Sequence, residues 1–341
     1  MKNRTTTRIV ASVLGFALVC IAGTGCSKPT DKPLREVEHF NMIIVPDLSS
    51  RIDNDKPVAD MVLLDHILNR IKERDGFICS GNRSTGQKDL FKLELMNNAL
   101  CSKYNIPVEG IGIDLTKYTK PKALSDYIYR STENDESLKS DIELMSSQTR
   151  AVYKKATGNT DNRGTDIYGY LNGLTSINLK SSDQLKSCES VKNEYRNVIF
   201  LLTDGYLEKG DGKDDYRKGS TSLTGQMVKS FREKYLNDRK HHNGKKRSLE
   251  QFYLEEGYGI KPLENELLAN AEIIVLEISD RSADQAGNTL EPSDEQILHL
   301  FWNDWFKRSG VKNWRIQSEV GSLSELDIII DQVINKQYSE K

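Results

Sequence analysis

Three short segments of this sequence place oxygen-bearing side chains where they could bind a cation. Asp47, Ser49 and Ser50 follow one apolar run. Thr165 precedes a helical stretch, and Asp204 follows a second apolar run. Carboxylate and hydroxyl oxygens are the ligands that hard divalent cations prefer, with further positions left to water. The pattern therefore predicts a site for Mg²⁺ or Mn²⁺. Its predicted ligands are Asp47, Ser49, Thr165 and Asp204.

The two aspartates each follow a predicted buried strand. Residues 41–46 and 197–203 are continuous apolar runs of the kind that is buried on both faces of a parallel sheet. In open sheets of this type, ligands bind beyond the carboxyl ends of the strands. We therefore expect Asp47 and Asp204 to face one crevice.

Strand and helix patterns alternate along the chain from residue 39. The predicted strands cover residues 41–46, 90–96, 107–114, 197–203, 272–279 and 314–317. The predicted helices cover residues 57–74, 121–130, 135–156, a stretch opening at 164, one that Ser293 caps, and 324–336. This alternation predicts an α/β fold: a doubly wound, mostly parallel sheet with helices on both faces. Either the strand at 107–114 or its neighbour at 90–96 is expected to be the antiparallel member.

The order and spacing of the three polar segments resemble the von Willebrand factor type A (vWA) domain and its metal-ion-dependent adhesion site (MIDAS). That family has Asp-x-Ser-x-Ser after its first strand, a threonine in a later loop and Asp-Gly after its fourth strand. The matching positions here are Asp47, Ser49, Thr165, Asp204 and Gly205. The resemblance covers residues 39–337 and implies a Rossmann-like fold. It also implies a cation that is completed by a partner's carboxylate and that bridges two proteins without catalysis.

The sequence departs from the family pattern at Arg51, where the family has a second serine. Ser50 lies one residue early. The guanidinium of Arg51 would repel a cation, or it would pair with Asp53 or Asp55 and lie aside. A further alternative is that Arg51 fills the crevice and satisfies both aspartates with no metal at all. We therefore treat Ser50 and Arg51 as modulators of the site.

The first 26 residues predict a bacterial lipoprotein signal. Basic residues precede an apolar run of about 15 residues, which is shorter than the roughly 20 needed to span a bilayer. Small residues then precede Cys26, so the segment resembles signals in which residues 1–25 are removed and the cysteine is lipidated. The alternative is an ordinary signal peptide with an incidental cysteine. Ser27 follows the cysteine where lipoproteins retained in the inner membrane have aspartate, so the segment resembles signals for transport to the outer membrane. We therefore expect a lipid-anchored protein of the cell envelope, located at the outer membrane.

The mature chain divides into a tether and one domain. Residues 26–38 are polar and contain two prolines, which favours a flexible tether. Residues 39–341 form the predicted domain. Within it, residues 206–262 separate a strand from the helix that should return to the sheet, so we expect an insertion there.

Composition and charge exclude several classes of function. Lys and Arg total 48 against 50 Asp and Glu, a formal net charge of −2, so no positive field would attract nucleic acid. The basic run at 239–247 is interpreted as a solvated loop rather than a partner-binding patch.

The remaining cysteines of the mature chain allow limited chemistry. An oxidising compartment would permit one disulfide among Cys79, Cys101 and Cys188. The sequence contains no Cys-x-x-Cys pair, which leaves a zinc site unsupported.

These observations favour a binding module over an enzyme: an envelope domain that holds a protein or peptide through its crevice. The second hypothesis is a metal-dependent phosphoester hydrolase that uses Asp47 and Asp204, although no histidine flanks the motifs. Motifs of serine hydrolases and P-loop proteins do not occur, and no small-molecule substrate is identified. A third hypothesis is a structural envelope component whose site has decayed, as Arg51 indicates.

Overall fold

The structure is a computed structural model that describes most of the chain after residue 34. The described residues are 35–49, 56–79, 86–96, 102, 111–129, 136–157, 165–182, 191–208, 219–241, 247–282 and 289–337. The predicted signal, Cys26, Ser50 and Arg51 lie outside these residues. Cys79 is a free thiol, and its two predicted candidate partners also lie outside the described residues.

Six strands of the described chain form one sheet. The strands are β1 (Arg35–Pro46), β2 (Leu90–Leu93), β3 (Gly112–Asp114), β4 (Val191–Leu202), β5 (Ala271–Ile278) and β6 (Asn313–Ser318). Their order across the sheet is β3-β2-β1-β4-β5-β6. The pairs are parallel except β2 and β3, which are antiparallel. The predicted α/β fold with a mostly parallel sheet is therefore confirmed, and its antiparallel member is the edge strand β3.

Eight α-helices of the described chain accompany these strands: seven lie between strands and the eighth follows β6. They are α1 (Lys56–Lys72), α2 (Pro121–Tyr129), α3 (Leu138–Ala156), α4 (Ile167–Gly173), α5 (Gly225–His241), α6 (Leu249–Glu255), α7 (Asp294–Arg308) and α8 (Leu323–Ile334). The predicted capping box begins α7: the backbone N–H of Gln296 donates to the Ser293 hydroxyl, and the N–H of Ser293 donates to the Gln296 side chain. No helix in the described ranges is long and apolar enough to cross a membrane.

The sheet separates two hydrophobic cores. Met42 and Ile44 of β1 lie in one core, and Ile43 and Val45 lie in the other, because successive strand residues point to opposite faces. Helices α1, α2, α3 and α8 cover the first core, and α4, α5, α6 and α7 cover the second. The doubly wound arrangement explains why the central strands are continuously apolar.

β1 begins earlier than predicted, inside the segment that we interpreted as a tether. Residues 35–38 pair in parallel with the start of β4. Charged side chains line this end of the strand pair: Lys192 lies 3.3 Å from Glu36, and Arg196 lies 3.5 Å from Glu38. The tether prediction was wrong for these residues because a polar composition also suits the solvent-exposed end of a strand.

The predicted insertion at residues 206–262 contains the connection from β4 back to β5. Helices α5 and α6 lie within it, and Phe231 and Tyr253 are fully buried in the second core. An isolated parallel bridge joins Ser220 to Ile260. The described part of this segment therefore forms one layer of the fold.

Candidate functional site

The ends of β1 and β4 bring the two predicted aspartates to one edge of the sheet. These strands are neighbours, and the chain leaves them in opposite directions, toward β2 and toward β5. The backbone N–H of Asp47 donates to the Leu202 carbonyl, 2.8 Å away at the end of β4. Asp204 follows Leu202 by two residues. Doubly wound folds form their ligand sites at such a switch point. We call the region around Asp47 and Asp204 the crevice.

The Asp47 carboxylate accepts hydrogen bonds from two other segments of the chain. The Thr165 hydroxyl donates to Oδ1 over 2.6 Å, and the Thr203 hydroxyl donates to Oδ2 over 2.9 Å. The backbone N–H of Ser49 also donates to Oδ1, over 3.0 Å. All four residues are buried, and Asp47 is only 2% exposed. These donors are neutral, so they stabilise the carboxylate without cancelling its charge.

The start of α4 fixes the position of Thr165. The Asp166 side chain caps this helix by accepting a hydrogen bond from the backbone N–H of Gly169 over 2.8 Å. Ile167 and Leu171 then anchor the helix in the second core. The polar loop before α4 was predicted to contribute a ligand. Its described end places the Thr165 hydroxyl against Asp47, the residue after β1.

A tight turn after β4 fixes the orientation of the Asp204 carboxylate. Its Oδ1 accepts a hydrogen bond from the backbone N–H of Tyr206 over 3.2 Å. Gly205 has a φ of 91°, and a Cβ at this position would lie 2.4 Å from Cδ1 of Ile278. The turn therefore needs glycine for both its backbone conformation and its close packing. The indole N–H of Trp302 donates to the Gly205 carbonyl over 2.8 Å and ties the turn to α7.

The other carboxylate oxygen of Asp204 forms an ion pair with an arginine guanidinium. Arg281, in the loop after β5, forms an ion pair with Oδ2 of Asp204. The same guanidinium lies 4.4 Å from the ring centre of Tyr206, within the range of a cation–π contact. The Arg281 side chain is 47% exposed, whereas that of Asp204 is 5% exposed. A cationic side chain thus reaches the crevice from a loop in which no site residue was predicted.

The strand that leads to Arg281 ends irregularly. The register between β5 and β6 shifts between Val275 and Ile278. Glu277, inside this shift, has a φ of 76°, which is a strained conformation for a residue other than glycine. Its carboxylate accepts a hydrogen bond from the backbone N–H of Val320 over 3.1 Å. Irregularities of this kind bend a strand and redirect the residues that follow it.

A buried polar network lies behind Tyr206. Its hydroxyl donates to Oδ2 of Asp294 over 2.5 Å, and Arg232 forms an ion pair with the same carboxylate. Nε of Arg232 also donates to the Pro292 carbonyl over 2.6 Å. Burial raises the pKa of Tyr206, so its hydroxyl stays protonated at neutral pH and remains a donor. The network therefore fixes the ring against which Arg281 rests.

The donor set of the crevice fits a hard divalent cation. The hydroxyls of Thr165 and Thr203 donate their protons to Asp47, and the Thr203 oxygen also accepts from the backbone N–H of Gly205 over 3.2 Å. Each hydroxyl oxygen therefore keeps at least one lone pair for a cation. Asp47 and Asp204 supply negative charge, and this all-oxygen set suits Mg²⁺ or Mn²⁺. Within the described ranges, no group of three or more His, Cys, Asp or Glu side chains could hold a metal. A cation here would therefore depend on hydroxyl groups and water.

The structure places all four predicted ligands at this edge of the sheet, and their role as ligands stays a prediction. Sequence reasoning missed Thr203 and Arg281. The sequence did carry a signal for Thr203, since it directly precedes Asp204 at the end of an apolar strand. A weaker signal existed for Arg281: it follows a predicted strand, so it too belongs to the carboxyl edge of the sheet.

No protein-family model and no curated protein sequence matches the chain. Among solved structures, the chain is similar to the pilus adhesin SpaC from Lactobacillus rhamnosus GG in its open conformation. The two proteins share 10% sequence identity with a TM-score of 0.32. The match covers 90% of this chain and 31% of the adhesin, so the chain spans about a third of the adhesin's length.

Proposed function

We propose that this protein is a vWA-like binding module of the bacterial cell envelope. A lipid on Cys26 anchors it in the outer membrane, and a cation in the crevice, Mg²⁺ or Mn²⁺, holds a protein or peptide partner. The observation that carries this proposal is the contact of Asp47 with the hydroxyls of Thr165 and Thr203. Three segments far apart in the sequence meet on one buried carboxylate, and oxygens that come together from separate segments support a proposal that they share a cation.

The chemistry of such a site favours binding over catalysis. Mg²⁺ usually keeps several water ligands and takes only one or two carboxylates from a protein. Asp47 and Asp204 can supply those carboxylates, and a carboxylate from a partner can replace one of the waters. The cation then bridges the two molecules. The proposal therefore needs no nucleophile and no general base.

Thermal unfolding with and without the cation tests the crevice. Mn²⁺ or Mg²⁺ should raise the melting temperature of the purified protein, since a ligand at one hundred times its Kd stabilises the folded state by about 2.7 kcal/mol. Asp47→Ala should abolish this rise. Asp65→Ala is the matched control: Asp65 also accepts from a hydroxyl, that of Ser146, and pairs with an arginine, but on the side of α1. An unchanged response in Asp47→Ala would reject the proposed crevice.

Two further experiments test the anchor and the partner. Mass spectrometry of the mature N-terminus should find a diacylglyceryl group on Cys26; retained residues 1–25 would reject the anchor.

Cross-linking in intact cells tests the partner. It should give an adduct between this protein and its partner that disappears with a chelator and in Asp47→Ala. An adduct that survives both treatments would show that the partner binds elsewhere.

The ion pair between Arg281 and Asp204 favours a second candidate function. In this alternative the protein is a structural component of the envelope whose crevice holds no cation, because Arg281 already balances the charge of Asp204. The thermal experiment separates the two candidates. A wild-type melting temperature that ignores Mg²⁺ and Mn²⁺ supports the structural component.

A further inference from the structure

We infer that Arg281 is a built-in competitor of the divalent cation in the crevice. Its guanidinium pairs with Asp204 when no cation is bound and withdraws when the Asp204 carboxylate turns to a cation. This inference rests on the proposed function, because it concerns the regulation of the same crevice. The same competing role was an alternative for Arg51, which lies outside the described residues.

Among the described residues, the two oxygens of Asp204 contact different partners, and Arg281 is the exchangeable one. Oδ1 accepts from the backbone N–H of Tyr206, a contact that belongs to the turn after β4. Oδ2 pairs with the Arg281 side chain. A carboxylate fixed through one oxygen can change the partner of the other without unfolding its turn. Oδ2 is therefore the oxygen for which Arg281 and a cation compete.

Arg281 can leave Asp204 without disturbing the loop that carries it. Its side chain is 47% exposed, so about half of its surface faces solvent. The loop backbone is held by other contacts. Oδ1 of Asp280 accepts from the backbone N–H groups of Ser282 and Asp294, over 2.9 and 3.3 Å. The movement of Arg281 therefore needs a change of side-chain rotamer only.

The Tyr206 ring gives the guanidinium a second favourable contact. Arg281 lies 4.4 Å from its centre, and the hydroxyl of Tyr206 is fixed by Asp294. A cation–π contact does not depend on the Asp204 carboxylate, so the ring can retain the guanidinium near the crevice after the ion pair breaks. Arg281 would thus stay poised to return when the cation leaves.

Competition of this kind couples the affinity for the cation to the strength of the ion pair between Arg281 and Asp204. Breaking the ion pair opposes binding, and the guanidinium close by repels a divalent cation. By linkage, the factor by which Arg281 weakens cation affinity equals the factor by which the cation weakens the ion pair. Such couplings typically change affinity by about 5- to 150-fold. The crevice should therefore bind a cation more tightly when the charge of Arg281 is removed.

Mn²⁺ titration followed by electron paramagnetic resonance tests this inference on the full-length protein. Arg281→Gln removes the charge and keeps most of the side-chain length, and Arg281→Met serves if the first variant does not fold. We expect either variant to lower the Kd for Mn²⁺ by about tenfold. Arg150→Gln is the matched control, since Arg150 is also half-exposed and paired with an aspartate, Asp65, on the side of α3. It should leave the Kd unchanged.

Each other outcome has a definite meaning. If wild type and Arg281→Gln bind Mn²⁺ equally, or the variant binds more weakly, the inference is overturned and the proposed crevice stands. If neither protein binds Mn²⁺, the proposed function and the inference both fall. The double variant Asp47→Ala with Arg281→Gln should bind no Mn²⁺. Retained binding in that variant would place the gained affinity outside the crevice and overturn the inference.

Discussion

The Asp47 and Asp204 carboxylates of the crevice differ in the charge of their partners among the described residues. Asp47 accepts from the neutral hydroxyls of Thr165 and Thr203, whereas Asp204 pairs with the charged guanidinium of Arg281. A hydroxyl that donates its proton still has lone pairs to offer, but a guanidinium has none. The hydroxyls beside Asp47 can therefore bind a cation together with that carboxylate. At Asp204, a cation would have to replace the guanidinium.

The two sides also differ in burial, and this difference determines how much each contact contributes to stability. Thr165 is 4% exposed and Thr203 is fully buried, and the protons of both hydroxyls are donated to Asp47. The Arg281 side chain is 47% exposed and can hydrogen-bond to water. Removing a buried partner leaves an unsatisfied polar group, while breaking an exposed ion pair has a small effect.

The largest effect on stability is expected for Asp47→Ala. It removes the acceptor of two buried hydroxyls and one backbone N–H, so the free energy of unfolding without metal should fall by about 2–5 kcal/mol. The control Asp65→Ala removes a half-buried carboxylate and should lower it by less than about 1 kcal/mol. Urea unfolding measures both values. Equal losses would show that Asp47 is no more important to the fold than an aspartate on a helix surface.

Thr165→Val tests the hydroxyl side alone. The substitution keeps the shape of the side chain and removes one donor to a buried carboxylate, so we expect a loss of about 1.5–3 kcal/mol in the free energy of unfolding. Thr149→Val is the matched control: Thr149 is equally buried, but its hydroxyl donates to the Met145 carbonyl within α3. That loss should stay near 1 kcal/mol. If the control loses as much as Thr165→Val, the charge of Asp47 does not strengthen the contact.

The strands and the positions of Asp47, Thr165 and Asp204 could be predicted from the sequence, but the charged partner of Asp204 could not. Continuous apolar runs mark β1 and β4, so the carboxyl ends of both strands and the residues after them were predictable. Arg281 was not, because its side chain crosses between loops and its partner depends on rotamers that no local pattern encodes. The charged start of β1 was missed for a related reason: its partner is the equally polar start of β4, more than 150 residues away.

Tyr206→Phe tests whether the network behind Asp204 is structural. It removes the hydrogen bond to Asp294 and keeps the ring beneath Arg281, so we expect the free energy of unfolding to fall by about 1–2 kcal/mol. Cation affinity should not change. Tyr253→Phe is the matched control, since Tyr253 donates to Asp304 over 2.7 Å away from the crevice. A change in Mn²⁺ affinity in Tyr206→Phe alone would show that its hydroxyl takes part in binding.

The smallest effect on stability is expected for Arg281→Gln without metal. An ion pair with a half-exposed partner contributes about 0–1 kcal/mol, and salt screens it. The loss should therefore shrink between low salt and 1 M salt, where the Debye length is about 3 Å. The loss in Thr165→Val should stay constant over the same range, because a buried hydroxyl donor is not screened. Urea unfolding at both salt concentrations measures this contrast, and a salt-independent loss in Arg281→Gln would show that its role is packing.

Calorimetric titration of Mn²⁺ into wild type and Asp47→Asn tests the central claim most directly. The asparagine keeps the shape of the side chain and one oxygen that accepts from one of the two threonine hydroxyls, and its NH2 group can donate to the other, but it removes the negative charge. The crevice predicts one Mn²⁺ per chain in the wild type and no measurable binding in Asp47→Asn. Equal binding by both proteins, or no binding by the wild type, would contradict it.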